Sequence, residues 1–128
     1  MSQGVKIKSM QLTPNFMLQE FLQAGAPLPA SWILANIRQL ANRLQVVRDL
    51  LARPIVIHSG YRSPQHNQHV GGAQNSLHTT GLAADISVPG VTPQALQKFL
   101  GNWSGGLGCY STHTHLDCRA TRARWQSG

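Results

Sequence analysis

Acidic residues are the scarcest chemical resource in this 128-residue chain: Glu20, Asp49, Asp85 and Asp117 stand alone against 11 lysines and arginines. Any catalytic or metal-binding carboxylate must come from those four. Cysteine is nearly as rare. Cys109 and Cys118 are too few for the disulfide framework of a small secreted domain and read most simply as free thiols, with a bridge between them as the alternative. No apolar run approaches the ~20 residues a membrane span needs, since the charge-free stretch from Phe21 to Ile37 is broken by Gly25, Pro27 and Pro29. Lys6 and Lys8 would suit the basic start of a signal peptide, but no apolar core follows them. The expectation is therefore a chain made in the cytosol and held there until released. Repeats, low-complexity blocks and long linkers are also missing, which leaves one domain over residues 1–128, with 1–11 as a loosely ordered N-terminal segment.

What is present is positive charge and histidine. The formal net charge is +7 with 41% hydrophobic residues, so the chain is globular and drawn to polyanions: nucleic acid, an anionic membrane or an anionic cell wall. Charge alone does not choose among them. The arginines are spread over a helix and the tail, without the aromatic interleaving of a base-stacking platform, so no nucleic-acid partner is expected. Nothing demands more than a monomer.

Thr13-Pro14 reads as the cap and first residue of a helix that turns Phe16, Leu18, Phe21 and Leu22 toward a core. Trp32, Ile33, Ile37, Leu40, Leu44, Val47 and Leu51 recur at helical spacing, and Arg53-Pro54 ends that helix. Ile55-Val56-Ile57 is a short β-branched run that predicts a buried strand delivering His58-Ser59-Gly60. A short helix opens at Ser63-Pro64, a strand spans Leu82 to Val88, and a helix opens at Thr92-Pro93 carrying Leu96, Phe99 and Leu100. Strands around Tyr110 and from Thr112 to Cys118 close the pattern. Helices first and strands later predict a compact α+β domain, N-terminal helices on a small, mainly antiparallel sheet.

The chemistry gathers in two places. Along a strand, His113, His115 and Asp117 share one face because side chains alternate with period two. Upstream, His78 is followed seven positions later by Asp85, flanked by Ala84 and Ile86. A carboxylate half-buried there needs a cation, a metal or several hydrogen bonds. His78, Asp85 and one strand histidine would give two imidazoles and one carboxylate, the donor set of a zinc site with an open fourth position. On spacing alone, His78 could instead bond a loop and Asp85 could pair with an arginine. His58, His66 and His69 read as structural or surface groups.

Ser59-Gly60-Tyr61-Arg62-Ser63-Pro64, Ser76-x-His78-x-x-Gly81-x-Ala83-x-Asp85, Gly106-x-Gly108-x-Tyr110, His115-x-Asp117 and Arg122-Ala123-Arg124-Trp125 occur in an order and spacing that resembles the zinc D-Ala-D-Ala carboxypeptidase family of murein peptidases. The likeness runs from about Leu12 to Trp125 and is greatest to the short, single-domain bacterial and bacteriophage branch. It implies an α+β fold shared with lysostaphin-type enzymes and the hedgehog domain, Zn²⁺ on His78, Asp85 and His115, and cleavage of a peptidoglycan stem or cross-link bond, with phage lysis as the expected setting. Arg62 is then expected at the substrate, with a planar fork suited to a carboxylate or a developing oxyanion, and Ser76 and Tyr61 beside it. Many relatives carry an acidic general base three residues before the last zinc histidine, where this chain has Thr112. Proton transfer then passes to Asp117 or His113, and a zinc-retaining module that binds the wall without cutting it is the alternative.

Overall fold

The computed structural model describes residues 10–127. The expected loose segment over 1–11 falls almost wholly outside them, although Gln11 already belongs to a strand. The elements run β1 (Gln11–Thr13), β2 (Phe16–Met17), a 3-10 turn (Leu18–Phe21), α1 (Ser31–Leu51), β3 (Val56–Ser59), α2 (Pro64–His69), a second 3-10 turn (Leu77–Thr80), β4 (Ala83–Ser87), α3 (Pro93–Phe99), β5 (Gly106–Cys109), β6 (Thr114–Asp117) and β7 (Ala123–Gln126). This is the α+β class expected, with one correction at the start.

Thr13-Pro14 opens a hairpin, not a helix. The Thr13 hydroxyl accepts from the Phe16 amide (3.1 Å) and donates to Gln45 Oε1 (2.7 Å), so the group that would cap a helix is spent closing a turn. Gln45 on α1 holds that turn from the other side, accepting from the Asn15 amide and donating to Asn15 Oδ1. Phe16, Leu18 and Phe21 are buried as expected, but they reach the core from a strand and a 3-10 turn.

The 21-residue α1 buries Ile33, Ile37, Leu40, Ala41, Leu44 and Val47 on one face. Each large aliphatic side chain so placed contributes about 1.5–3 kcal/mol of transfer free energy. Trp32, expected on that face, is 57% exposed. It lies one position before Ile33, about 100° around the helix from it. Ala52 ends the helix in the left-handed region (φ 54°), its amide bonded to Arg48 O, and Pro54 bars continuation.

The main sheet has the order β3-β4-β6-β5-β7, antiparallel except for the parallel β5–β7 pair. β3 was expected to be buried but lies at an edge, with Val56 exposed. β7 was not anticipated at all. Phe99, expected in the core, is exposed, while Leu96 and Leu100 are buried.

Ala84 and Ile86 of β4 and Leu116 of β6 join the α1 residues in one core cluster. Alternation then sends Asp85, His115 and Asp117 to the opposite face. Register completes the arrangement: Asp85 pairs with His115, and His115 pairs with Gly108 on its other side.

Candidate metal centre

His78 reaches this face from the 3-10 turn Leu77–Thr80. Ser76 Oγ accepts from the His78 amide (3.2 Å) and so caps the turn. Gly81 ends it with φ 82°, and a Cβ there would lie 2.9 Å from Ile37, so the turn seats directly on α1. The Arg62 amide donates to His78 O (2.9 Å), tying the turn to the segment after β3.

The His78 ring is fixed by a backbone carbonyl. Nδ1 lies 2.7 Å from Gly60 O; a carbonyl only accepts, so Nδ1 carries a proton and Nε2 is the nitrogen turned to the cleft. Nε2 faces Asp85 Oδ1 at 3.3 Å. A ring nitrogen and a carboxylate oxygen aimed at each other in a half-buried cleft share a cation, either a proton on Nε2 or a metal ion in its place. His115 adds the third donor: Nδ1 is 3.2 Å from the same Asp85 oxygen, and Nε2 is 2.8 Å from Asp117 Oδ2. One donor atom each from His78, Asp85 and His115 lies within 4.8 Å of the others. The spacing suits one ion drawing all three inward, and the borderline-soft donor set suits Zn²⁺.

Burial alone would raise the Asp85 carboxyl, but hydrogen bonds from His115 and His78 outweigh it and hold Asp85 well below the usual carboxylate range. Burial likewise opposes charge on His115, yet its bonds to Asp117 and Asp85 push its pKa above the ordinary 6.5. A metal ion on His115 therefore competes with a proton for the same ring.

Asp117 is fully buried and fully engaged. Oδ1 accepts from the Gly106 amide (2.9 Å), the Arg119 amide (3.1 Å) and Arg119 Nε (2.8 Å); Oδ2 accepts from Arg119 Nη2 (2.7 Å) and binds His115. Its carboxyl is held far below the usual range, with those bonds overcoming the burial that would raise it. A Cβ on Gly106 would collide with this carboxylate, so β5 needs glycine there.

Above the three donors opens a cleft of about 490 Å³, lined among others by Arg62, Ser76, His113, Arg119 and Trp125. Arg62 places Nη2 at 3.3 Å from Asp85 Oδ2. His113 stacks on Tyr110 (4.5 Å between centroids, 9° between planes), pairs its Nδ1 with the Thr112 hydroxyl at 2.9 Å, and brings Nε2 to 4.0 Å from Asp85 Oδ1. Asp117 does not line the cleft. Nor does Tyr61, which borders a neighbouring depression with His58 and His66 on the other side of Arg62. Cys109 and Cys118 are free thiols, as expected.

Sequence reasoning missed Arg119, the partner of Asp117, and gave Tyr110 and Trp125 no role. Arg119 lies two residues past Asp117, so the period-two pattern that linked His113, His115 and Asp117 could have found it.

A family model described as Peptidase M15 matches residues 11–117. Zinc D-Ala-D-Ala carboxypeptidase from Streptomyces albus G is 38% identical over 64 residues, which are 49% of this chain and 25% of that protein; the likeness therefore spans about a quarter of the relative's length. Among the described residues, no helix is long and apolar enough to cross a membrane. With the family match running from the first described strand through Asp117, this chain belongs to the Peptidase M15 family.

Proposed function

We propose that the chain is a zinc-dependent peptidase that hydrolyses an amide bond in the stem or cross-link peptides of peptidoglycan. The observation that carries this reading is the convergence of His78, Asp85 and His115 donors at the floor of an open cleft. Zn²⁺ is the cofactor that fits them, and when bound it supplies Lewis-acid polarisation of a carbonyl and acidification of water near neutral pH. Arg62 holds the substrate: Ser59, Asn67 and Asp85 each take one N–H of its guanidinium and pin it at the cleft wall, and the second N–H of each terminal nitrogen is left for a stem-peptide carboxylate or a developing oxyanion. His113, 28% exposed in the same cleft with Nε2 4.0 Å from Asp85 Oδ1, passes a proton to the departing amine in this reading. Asp117 orients His115 and does not transfer protons, because every bond its carboxylate can make is already made inside the protein. Ser76 positions His78. The setting we favour is release onto the wall during phage lysis; what supports it is the sequence likeness to the short branch and the attraction of a +7 protein to an anionic wall.

One observation favours a second reading, a zinc-retaining wall-binding module: Asp85 is the sole carboxylate among the residues lining the cleft. Digestion of diaminopimelate-type sacculi, with and without a zinc chelator and with fragments weighed by mass spectrometry, separates the two. Chelator-sensitive fragments are expected, and their masses name the bond. Intact sacculi from zinc-loaded protein that nonetheless sediments with them would replace the peptidase by the binding module.

A further inference from the structure

Asp117 is a buried anion whose plane decides where the His115 imidazole points, and rotation about its Cβ–Cγ bond is intrinsically loose. The Gly106 amide fixes only Oδ1. Oδ2, the oxygen that meets His115 Nε2, has one further side-chain partner, Arg119 Nη2. Because Nε of the same guanidinium grips Oδ1, Arg119 binds both oxygens in a planar fork and fixes the carboxylate's rotation in a way no single donor can. The guanidinium is itself braced: its carbon sits 4.9 Å from the Trp125 ring centroid, and that ring lies 5.1 Å from His115. The Arg119 side chain is 36% exposed at the cleft wall, so solvent reaches it although Asp117 is sealed.

We propose that Arg119 is a positioning residue for the metal centre: its bidentate grip on Asp117 locks the carboxylate that orients His115, and so sets how tightly the protein holds zinc. This assignment rests on zinc binding by His78, Asp85 and His115. It differs from a substrate-reading role, for which both terminal nitrogens of a cleft arginine would keep an N–H turned to the substrate rather than a bidentate grip on one buried carboxylate. Here Nε and Nη2 are both committed to Asp117. It also differs from a bland surface ion pair, because the anion is fully buried and one bond from a ligand.

The test titrates zinc into the full metal-free chain against a chromophoric chelator, comparing wild type, Arg119→Ala and Arg119→Lys. Outer-sphere partners of metal ligands typically govern affinity by about 10–100-fold, and a loss in that range is expected for Arg119→Ala. A smaller loss is expected for Arg119→Lys, which keeps the charge but not the fork. Millimolar guanidinium should restore much of the affinity of Arg119→Ala and none of that of His115→Ala. Should Arg119→Ala not fold, the lysine variant carries the test, with its melting temperature measured alongside. Wild-type zinc affinity in the arginine variants, with a raised KM on wall peptide, would overturn the proposal in favour of substrate binding. Lost affinity that guanidinium does not restore, with a lowered melting temperature, would overturn it in favour of a general structural role. A wild-type chain that binds no zinc would refute the metal site itself, which is a different failure.

Discussion

The two imidazoles of the centre are held in opposite ways. His78 is fixed mainly by main chain: its Nδ1 donates to Gly60 O, its carbonyl accepts from the Arg62 amide, and its turn leans on α1 through Gly81, with the neutral Ser76 hydroxyl capping its amide. His115 is fixed by side chains: Asp117 holds Nε2, Arg119 holds Asp117, and Trp125 packs against both His115 and Arg119. A carbonyl is neutral and cannot titrate, whereas a buried carboxylate is charged and stays in place only while its partners do. One ligand is thus as stable as the backbone around it. The other depends on electrostatics, and conditions or substitutions that leave the fold intact can loosen it.

The largest effect comes from removing either ring. His78→Ala and His115→Ala should each lower zinc content to near zero and sacculus digestion by more than about a thousandfold, roughly 4 kcal/mol of lost transition-state stabilisation, as read by metal analysis and fragment yield together. A chain that keeps both in His115→Ala has no centre of the kind described. The supports then distinguish the two sides. Asp117→Asn breaks a buried charge pair and should cost about 3–5 kcal/mol of stability, with zinc retained at weaker affinity, which denaturant melts and chelator competition would register. Its counterpart is Gly60→Ala, whose Cβ would sit 2.7 Å from Phe21 O. Moving that backbone should cost about 1–3 kcal/mol and shift the carbonyl that holds His78. Equal zinc affinities in the two variants, at similar loss of stability, would erase the contrast.

Acidity probes the same asymmetry. The depressed carboxyls of Asp85 and Asp117 contribute stability that is present above their unfolded pKa near 3.8 and is lost as pH falls through their folded values. The raised His115 contributes stability that is present below 6.5 and is lost as pH rises through its folded pKa. Metal-free protein should therefore melt highest between roughly pH 4 and 6.5. Saturating zinc should move the optimum upward, because the ion competes with the proton on His115. Thermal melts across pH, with and without zinc, would show an unmoved optimum if that competition is absent. The smallest effect should be that of Ser76→Ala, which deletes a cap bond worth about 1 kcal/mol and should lower the melting point while leaving zinc stoichiometry intact.

Much of the centre was legible because its logic is local and periodic. Period-two alternation placed His113, His115 and Asp117 on one face, and the awkwardness of a lone carboxylate between Ala84 and Ile86 pointed to Asp85. The choice of His115 over His113 came from family likeness, since parity treats them alike. What stayed hidden depended on distant partners. Thr13-Pro14 is equally good as a cap and as a turn, and Gln45, thirty-two residues away, decides it. Arg122-Ala123-Arg124-Trp125 alternates over only two apolar residues, too few to announce a strand, yet Ala123–Gln126 pairs with β5 as β7, where glycine at 108 leaves room for the Trp125 indole. The fork of Arg119 on Asp117 is the exception: its partner is only two residues away, and extending the period-two pattern by one step would have reached it.

Asp85 is the hub on which His78, His115 and Arg62 all converge. Zinc uptake in such a centre is an exchange, not an addition. The ion takes its seat as a proton departs into solution, so the heat recorded in a calorimeter belongs partly to the buffer that receives that proton. Titrations in buffers of different ionisation enthalpy would give apparent enthalpies lying on a line, and its slope counts the protons displaced.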